Sequence, residues 1–281
     1  MIKAQTLDPN VKGIEFPEAP PQPADLAGSS NLLTAFVAWF GELGVFCWQL
    51  ARAVITPPYE WGELSHQLDE VGSKSLPLVA LAGAATGVVM SLQTRSGLIR
   101  FGGKSLIPLI IILSIVKESG PTITGLIVSG RVGAGIGAEL GSMRVTEQID
   151  AMEASAVNPY KYLVATRVLA CTLMLPLLTL VADFAGVLMG WVACTLAEPI
   201  TLRLFIDVGL KSVQFSDFLP PTFKTAVFGM IIGIIACFQG MRTKGGTAGV
   251  GRAAMTSVFL SSLFVILADV WLVRLIQVFF P

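Results

Sequence analysis

Charged residues are scarce in this chain of 281 residues, and neither sign is in excess. Asp, Glu, Lys and Arg make up 14% of the sequence, against roughly a quarter in soluble domains, and the formal net charge is zero. The scarcity of charge argues against an ordinary soluble domain. The lack of a basic excess argues against nucleic acid as a partner.

Residues that support metal or redox chemistry are also few. The single histidine, His66, leaves little basis for a histidine metal site or a catalytic triad. The four cysteines lie in apolar stretches without a C-x-x-C pair, which favours packing over disulfides or metal binding (Cys47, Cys171, Cys194 and Cys237). We therefore expect no catalytic centre, metal or cofactor in this chain.

A complete phosphate-binding loop is missing as well. Gly102-Gly103-Lys104-Ser105 matches the end of such a loop, but the motif requires a glycine at position 98, which is Leu98. If ATP drives this protein, the sequence predicts that another chain binds the nucleotide.

Apolar residues are what the sequence has in quantity. They make up 53% of the chain, and the mean hydropathy is +0.73. Five stretches approach the roughly 20 residues that cross a bilayer as a helix: Leu76–Leu92, Leu106–Ser129, Val168–Leu196, Leu219–Phe238 and Ala253–Phe280. No alternating ten-residue segments typical of a membrane β-barrel occur. The predicted fold class is an all-α integral membrane protein with about five transmembrane helices, in a domain covering residues 76–281.

The amino-terminal quarter of the chain is more polar than the rest. Residues 1–30 are polar and proline-rich, without the pattern of a signal peptide, and are predicted to form a flexible cytoplasmic tail. Residues 31–75 are predicted to form an amphipathic helix and a polar connection. Within Leu32–Ile55, an apolar and aromatic stripe is interrupted by Glu42 and Arg52, which favours a helix lying in the membrane interface over one that spans.

Two charges interrupt the second apolar stretch, at Lys117 and Glu118. Charges inside a membrane helix are costly unless they are paired or hydrated, and they usually face a cavity. Because adjacent residues do not face each other on a helix, we expect both to pair with other groups. Either a polar contact in a substrate cavity or a structural pair explains them equally well. Asp183 and Asp269 also lie in apolar segments, where packing hydrogen bonds or helix ends are the simpler interpretation.

The most polar segment between the apolar blocks is predicted to contain a charged helix over Glu139–Glu153. Gly133, Gly137 and Gly141 precede or begin it at helical spacing. A solvated loop helix is the usual outcome for such a charge run, but the flanking membrane helices favour a docking element. Gln239–Arg252, with five glycines, is predicted to form an irregular loop on the same side. The Lys and Arg residues between the spans are divided almost equally between the two sides of the membrane, with Lys224 counted on the outer side. The side that carries Glu139–Glu153 has a slight excess of positive charge and is therefore predicted to be cytoplasmic.

The stretch ELGSMRVTEQIDAMEASAVNPYKYLVATR, preceded by KESGP and followed by GMRTKGGTAGVGRA, closely resembles the MlaE-type permease family. These proteins are the membrane subunits of MCE-associated ABC lipid transporters. The resemblance covers the chain from about Trp39 to its end. One departure is Lys117, where the family usually has arginine; the lysine keeps the charge but lacks the guanidinium fork.

The resemblance implies a homodimer in the bacterial inner membrane, with two cytoplasmic ABC ATPase subunits that bind ATP and Mg²⁺, and a periplasmic ring of MCE proteins. It implies a lipid pocket between the protomers, with Lys117, Glu118 and Phe101 at or near it, and glycine-bearing helices at the dimer seam. It also implies that the segment around Glu139–Glu153 is the coupling helix that fits the ATPase. The residues assigned to that coupling role are Glu139, Met143, Arg144, Glu147, Gln148, Asp150 and Met152.

The leading hypothesis is therefore a permease subunit that moves phospholipid or a related hydrophobic lipid between the inner membrane and a periplasmic MCE carrier. A membrane anchor that only holds an MCE ring is the alternative. A membrane-embedded enzyme is a third possibility, but such enzymes usually need a metal or a carboxylate cluster, and Asp183, Asp207 and Asp269 are scattered along the sequence.

Overall fold

A computed structural model describes residues 32–55, 60–100, 102–196, 200–211 and 215–279. Within these ranges the chain forms helices and no strand. The α-helices are α1 (Leu32–Ile55), α2 (Trp61–Val71), α3 (Leu76–Arg100), α4 (Ile107–Ser114), α5 (Gly120–Val128), α6 (Ala134–Val145), α7 (Gln148–Ala154), α8 (Thr166–Thr195), α9 (Leu202–Leu210), α10 (Phe215–Met241) and α11 (Gly246–Phe279). The predicted tail over residues 1–30 lies outside the described residues.

Five of the described segments are long and apolar enough to cross a membrane: Trp61–Arg100, Lys104–Val145, Tyr160–Thr195, Asp217–Met241 and Gly246–Phe279. The prediction of an all-α membrane protein with five spans is confirmed. The short helix α9 follows the third span. Its first turn is capped by Thr201, whose hydroxyl accepts a hydrogen bond from the backbone N–H of Leu204. Helix α1 exists over the expected residues, and its placement in the interface remains a prediction.

The second span is one helical rod of 42 residues, Lys104–Val145, which we call the 104–145 rod. A 3₁₀ turn, α4, α5 and α6 follow one another in it, joined by two π turns at Ile115–Ser119 and Ser129–Gly133. A π turn amounts to one extra residue in an α-helix and is frequent at functional sites. The rod therefore changes the direction of its faces twice between its two ends.

Glycines let α8 contact two other helices backbone to backbone. A Cβ added at Gly87 of α3 would lie 1.9 Å from the carbonyl oxygen of Gly186 in α8, and one at Gly83 would lie 2.4 Å from that of Ala182. On α10, a Cβ at Gly229 would lie 2.3 Å from the Cys171 carbonyl oxygen of α8. No side chain larger than hydrogen fits at these positions without displacing the backbone.

These contacts place the glycine pairs inside one chain, whereas the meeting of glycine-bearing helices at a dimer seam stays a prediction. Both Gly83-x-x-x-Gly87 and Gly229-x-x-x-Gly233 are used inside one chain, against α8. The glycines before the charged segment are also internal, since Gly137 packs on Ser257 of α11. The spacing correctly indicated close helix packing, but it carried no information on whether the partner helix belongs to the same chain.

The loop predicted over Gln239–Arg252 is mostly helical. Helix α10 continues to Met241, and α11 begins at Gly246, so the connection is four residues long. Gly245 and Gly246 have φ values of +88° and +67°, which glycine adopts without strain. Gly249 lies against the Lys244 carbonyl inside the first turns of α11. The glycines thus serve a tight turn and close packing.

Candidate functional site

A group of charged side chains lies inside the spans, and we call it the intramembrane charge cluster: Lys117, Glu118, Asp217, Lys224 and Asp269. The first two lie on the π turn at Ile115–Ser119, the next two on α10, and Asp269 on α11. The cluster therefore joins three spans that are distant in sequence.

Lys224 is the centre of the cluster. Its side chain is 1% exposed, and its Nζ lies 3.0 Å from Glu118 Oε2 and 2.9 Å from Asp269 Oδ1. Thr122 of α5 donates a hydrogen bond of 3.0 Å from Oγ1 to the second carboxylate oxygen of Asp269. A buried ammonium in a membrane protein requires such partners, because no water is available to solvate it.

Lys117 forms the second ion pair of the cluster, with its Nζ 2.7 Å from Asp217 Oδ1. The prediction that Lys117 and Glu118 pair with other groups is confirmed. Their side chains are nevertheless 49% and 52% exposed in the isolated chain. Half-exposed charges in the middle of a spanning rod are incompatible with a surface in contact with acyl chains, so this face borders a polar or hydrated space.

Sequence features explain why the cluster forms here. Pro121 lacks a backbone N–H, so the ordinary α-helical ladder is interrupted near the π turn that carries Lys117 and Glu118. Asp217 and Lys224 are seven residues apart on α10 and so lie on one face of that helix. The sequence interpretation missed both of them as partners, and it counted Lys224 among the charges of the outer side although the predicted span Leu219–Phe238 contains it. Their spacing was the available signal.

Asp183 and Asp269, the two acids predicted to make packing hydrogen bonds, differ in their contacts. Asp269 makes the expected packing hydrogen bond and also pairs with Lys224. Asp183 of α8 is 4% exposed, and among the described residues neither of its carboxyl oxygens has a hydrogen-bond partner. It lies against Gly120, where a Cβ would be 1.7 Å from its Oδ1. The prediction of a packing hydrogen bond is therefore wrong for Asp183. Phe101, the third residue assigned to the lipid pocket, lies outside the described residues.

The second candidate site is the turn after the 104–145 rod. The helix predicted over Glu139–Glu153 is in fact two helices, because α6 ends at Val145 and α7 begins at Gln148. Glu147 between them has a φ of +59°, and Ala156 after α7 has a φ of +60°. A left-handed conformation is uncommon for residues other than glycine, and here it reverses the chain on both sides of α7.

Helix α7 is fixed to the protein by one face only. Ile149 is fully buried, whereas Glu147, Gln148 and Asp150 are exposed, and Met143 and Met152 are partly buried. Arg144 of α6 forms an ion pair with Asp150. Burial raises the pKa of the Glu153 carboxyl, the negative charge of Asp150 raises it further, and Arg144 opposes both. The result is a small acidic ridge at the end of the rod.

Glu139 does not belong to that ridge. Its Oε1 accepts a hydrogen bond of 2.8 Å from Nη2 of Arg167, a residue of α8 that is 2% exposed. Nη1 of Arg167 donates to the carbonyl oxygen of Leu163 at 3.0 Å. The pair ties α6 to the start of α8, so Glu139 is held in place by its own chain. Its assignment to the coupling surface remains a prediction, but this contact gives it a structural role.

A second arginine ties the rod to the turn between α2 and α3. Arg131, on the π turn at Ser129–Gly133, donates hydrogen bonds from Nη1 to Ser75 Oγ at 2.6 Å and to the Glu70 carbonyl oxygen at 3.2 Å. Among the described residues no group of three or more His, Cys, Asp or Glu side chains could hold a metal ion.

Comparisons with known proteins find similarity to transporter permeases over most of the chain. Residues 64–275 match the family model described as Permease MlaE. A probable ABC transporter permease protein of Rickettsia typhi is 34% identical over 253 residues, which cover 90% of this chain and 97% of that protein. A probable ABC transporter permease protein of Synechocystis is 36% identical over 206 residues, or 73% of this chain and 78% of the relative. The chloroplast protein TRIGALACTOSYLDIACYLGLYCEROL 1 of Arabidopsis thaliana is 30% identical over 252 residues, or 89% of this chain and 72% of the relative.

The match to the family model extends from α2 into α11 and includes both the intramembrane charge cluster and the turn that carries α7. The chain is a multi-pass membrane protein, and it belongs to the MlaE permease family of ABC transporters.

Proposed function

We propose that this chain is the permease subunit of an ABC transporter that moves phospholipid or a related hydrophobic lipid between the bacterial inner membrane and a periplasmic MCE carrier. In this proposal two copies form the membrane part, and two separate ATPase subunits supply the energy. The observation that carries it is the half-exposed charged pair Lys117 and Glu118 in the middle of a spanning rod.

Such a pair needs a surrounding that is not lipid on every side. If the face that carries it lies against the same face of a second copy, the two faces enclose a cavity with charged groups at its wall. Apolar side chains of the spans line the remainder and accommodate acyl chains. Lys117, whose side chain is half exposed, is the group that meets a headgroup phosphate.

The cluster sets how that phosphate is recognised. Lys224 is neutralised by Glu118 and Asp269, and it is too deeply buried to reach a ligand. Among the described residues Lys117 pairs with one carboxylate, that of Asp217, and that contact can be exchanged for one to a phosphate. Binding must differ between two states of the transporter, or the lipid would not be moved.

The 104–145 rod connects this cavity to the opposite end of the span. From Glu118 to Val145 there are 27 residues, or about 40 Å at the rise of an α-helix. Arg131 and Glu139 tie the rod to α2–α3 and to α8. A force applied to the exposed side of α7 is therefore carried along one rod to the charge cluster. An ATPase subunit that grips Glu147, Gln148 and Asp150 would supply that force, and the relatives named as ABC transporter permeases support this partner.

The test is lipid transfer by the reconstituted complex of permease, ATPase and MCE protein. We expect Glu118→Ala to lower ATP-dependent transfer much more than it lowers the yield of folded protein. Asp207→Ala is the matched control, because Asp207 is an exposed carboxylate of α9 whose ion pair within the described ranges is a 3.8 Å contact to Arg203. Equal loss of transfer and of yield would assign the cluster a structural role only.

A transport role also requires that the cavity change with nucleotide. A cysteine placed at Ser119, beside the charged pair, is expected to react with a water-soluble maleimide at different rates with and without ATP. A rate that does not respond to ATP would instead indicate an anchor for an MCE ring.

A further inference from the structure

A cavity outside the charge cluster lies between α2, the end of α1 and the start of α8. Its volume is about 230 Å³, and its walls are almost entirely apolar, formed by Val54, Leu64, Leu169 and Leu173 among others. Glu60, Trp61 and Lys161 are the large polar or amphipathic side chains around it. Neither the charge cluster nor α7 contributes to it.

The polar groups are gathered at one end of this cavity. Lys161 lies in the first turn of the third span, and Leu173 lies twelve residues further, about 18 Å along the helix. Helix α2 runs in the same direction as α8, since Gly72 at its end lies against Met174. Glu60 and Trp61, at the start of α2, are therefore level with Lys161.

The apolar end opens onto the membrane-facing side of α8. Leu173 is 54% exposed, and the exposed apolar side chains continue along the same helix at Leu177, Leu180 and Phe184. A chain of methylene groups can therefore enter the cavity from the bilayer without crossing a polar surface. Trp61, 70% exposed, lies at the polar end, the position that tryptophan prefers at a membrane–water interface.

The charges at the polar end are of both signs and are available. In the described part of the chain, neither the Lys161 ammonium nor the Glu60 carboxylate forms an ion pair. A headgroup that carries a phosphate and an ammonium satisfies both, with the phosphate at Lys161 and the ammonium at Glu60. A headgroup with a phosphate alone leaves Glu60 as a repulsive neighbour.

We propose that this cavity binds one acyl chain of a zwitterionic phospholipid of the leaflet on the α7 side, with its phosphate on Lys161 and its ammonium on Glu60. The lipid fills the space between α2 and α8 and is a resident of the permease, separate from the lipid that the charge cluster is proposed to handle.

The test uses the full-length permease in phosphatidylcholine nanodiscs that contain phosphatidylethanolamine with a diazirine in its acyl chain. Mass spectrometry of the irradiated protein is expected to find the label on residues 165–173. Leu169→Trp fills the cavity and is expected to lower that labelling about tenfold, the loss of contact with about two methylene groups. Leu177→Trp is the control, since it enlarges an exposed side chain of the same helix outside the cavity.

The headgroup assignment is tested with the same probe on phosphatidylglycerol. Wild type is expected to label more strongly with the ethanolamine lipid, and Glu60→Lys, which reverses the charge at the polar end of the cavity, is expected to reverse the preference. Labelling spread evenly along the exposed residues of α8 and unchanged by Leu169→Trp would mean an annular lipid only and would overturn the proposal. Equal labelling by both probes in wild type would overturn the headgroup assignment. Neither readout requires transport or the ATPase, so the outcome is independent of the proposed function.

Discussion

Removing the positive charge of Lys224 is the most informative single perturbation of the charge cluster. In the variant Lys224→Met, Asp269, whose side chain is 10% exposed, keeps the hydrogen bond from the Thr122 hydroxyl but loses its counter-charge and lies beside the Glu118 carboxyl. Breaking a buried ion pair by removing one member costs about 3–5 kcal/mol, because the other charge stays buried without compensation. Glu118 is half exposed and can be hydrated, so most of the cost arises at Asp269.

The same reasoning predicts that a second substitution restores stability. Lys224→Met combined with Asp269→Leu replaces a buried ion pair by apolar groups of similar size, an exchange that is often neutral or stabilising. We expect the double variant to recover most of the loss and to be more stable than Lys224→Met alone.

Thermal unfolding of the purified permease in detergent, followed by size-exclusion chromatography, measures both effects. For a chain of this size about 1 kcal/mol corresponds to roughly 2–4 °C, so Lys224→Met is expected to lower Tm by roughly 10 °C. Lys211→Met, which removes an exposed lysine just after α9, controls for the loss of charge. The reasoning is refuted if Lys224→Met has the same Tm as wild type, or if the Tm of the double variant is no higher than that of Lys224→Met.

Four further predictions concern the rest of the molecule. Glu139→Gln is expected to lower Tm, because it leaves the buried Arg167 guanidinium without a counter-charge, whereas Arg167→Met should cost less; equal Tm values for Glu139→Gln and wild type would contradict this. Glu147→Lys is expected to reduce co-purification of the ATPase subunit without changing Tm, and undiminished co-purification would exclude docking at α7. Gly87→Ala is expected to destabilise by about 1–3 kcal/mol or more through its clash with α8, while Gly97→Ala, with open space around it, should fold at wild-type yield. The pKa of Glu153 is raised above its ordinary value of 4.5, so the folded state binds the proton more tightly than the unfolded chain. The stability of the folded state should therefore fall as pH rises through that raised pKa. A dependence of Tm on pH that is the same in Glu153→Gln as in wild type would contradict the assignment.

The number of spans could be predicted because the mean hydropathy of a span is taken over about 20 residues, so an error of a few residues in the position of either end does not change the result. The boundaries of the charged segment could not, because the residue that divides it, Glu147, is not a residue type that usually adopts a left-handed conformation.

The charge cluster was only half predictable. The cost of burying charge required partners for Lys117 and Glu118, but not their identity, since Lys224 and Asp269 lie 106 and 151 residues away from Glu118 in sequence. The π turns added a further obstacle, because an extra residue rotates every later side chain by about 100° relative to a regular α-helix. A helical wheel drawn through the 104–145 rod therefore assigns the wrong faces to residues beyond each turn.

The backbone contacts of α8 also determine how the permease can change shape. Gly83 and Gly87 of α3, and Gly229 of α10, meet α8 with no side chain between the helices that could adopt a second rotamer. Sliding one of these helices would drive carbonyl oxygens into α-carbons, so the three behave as a rigid body. If two copies assemble as proposed, a change of access would then come from displacement of one copy against the other, and the width of the opening between them would set the largest cargo that can leave.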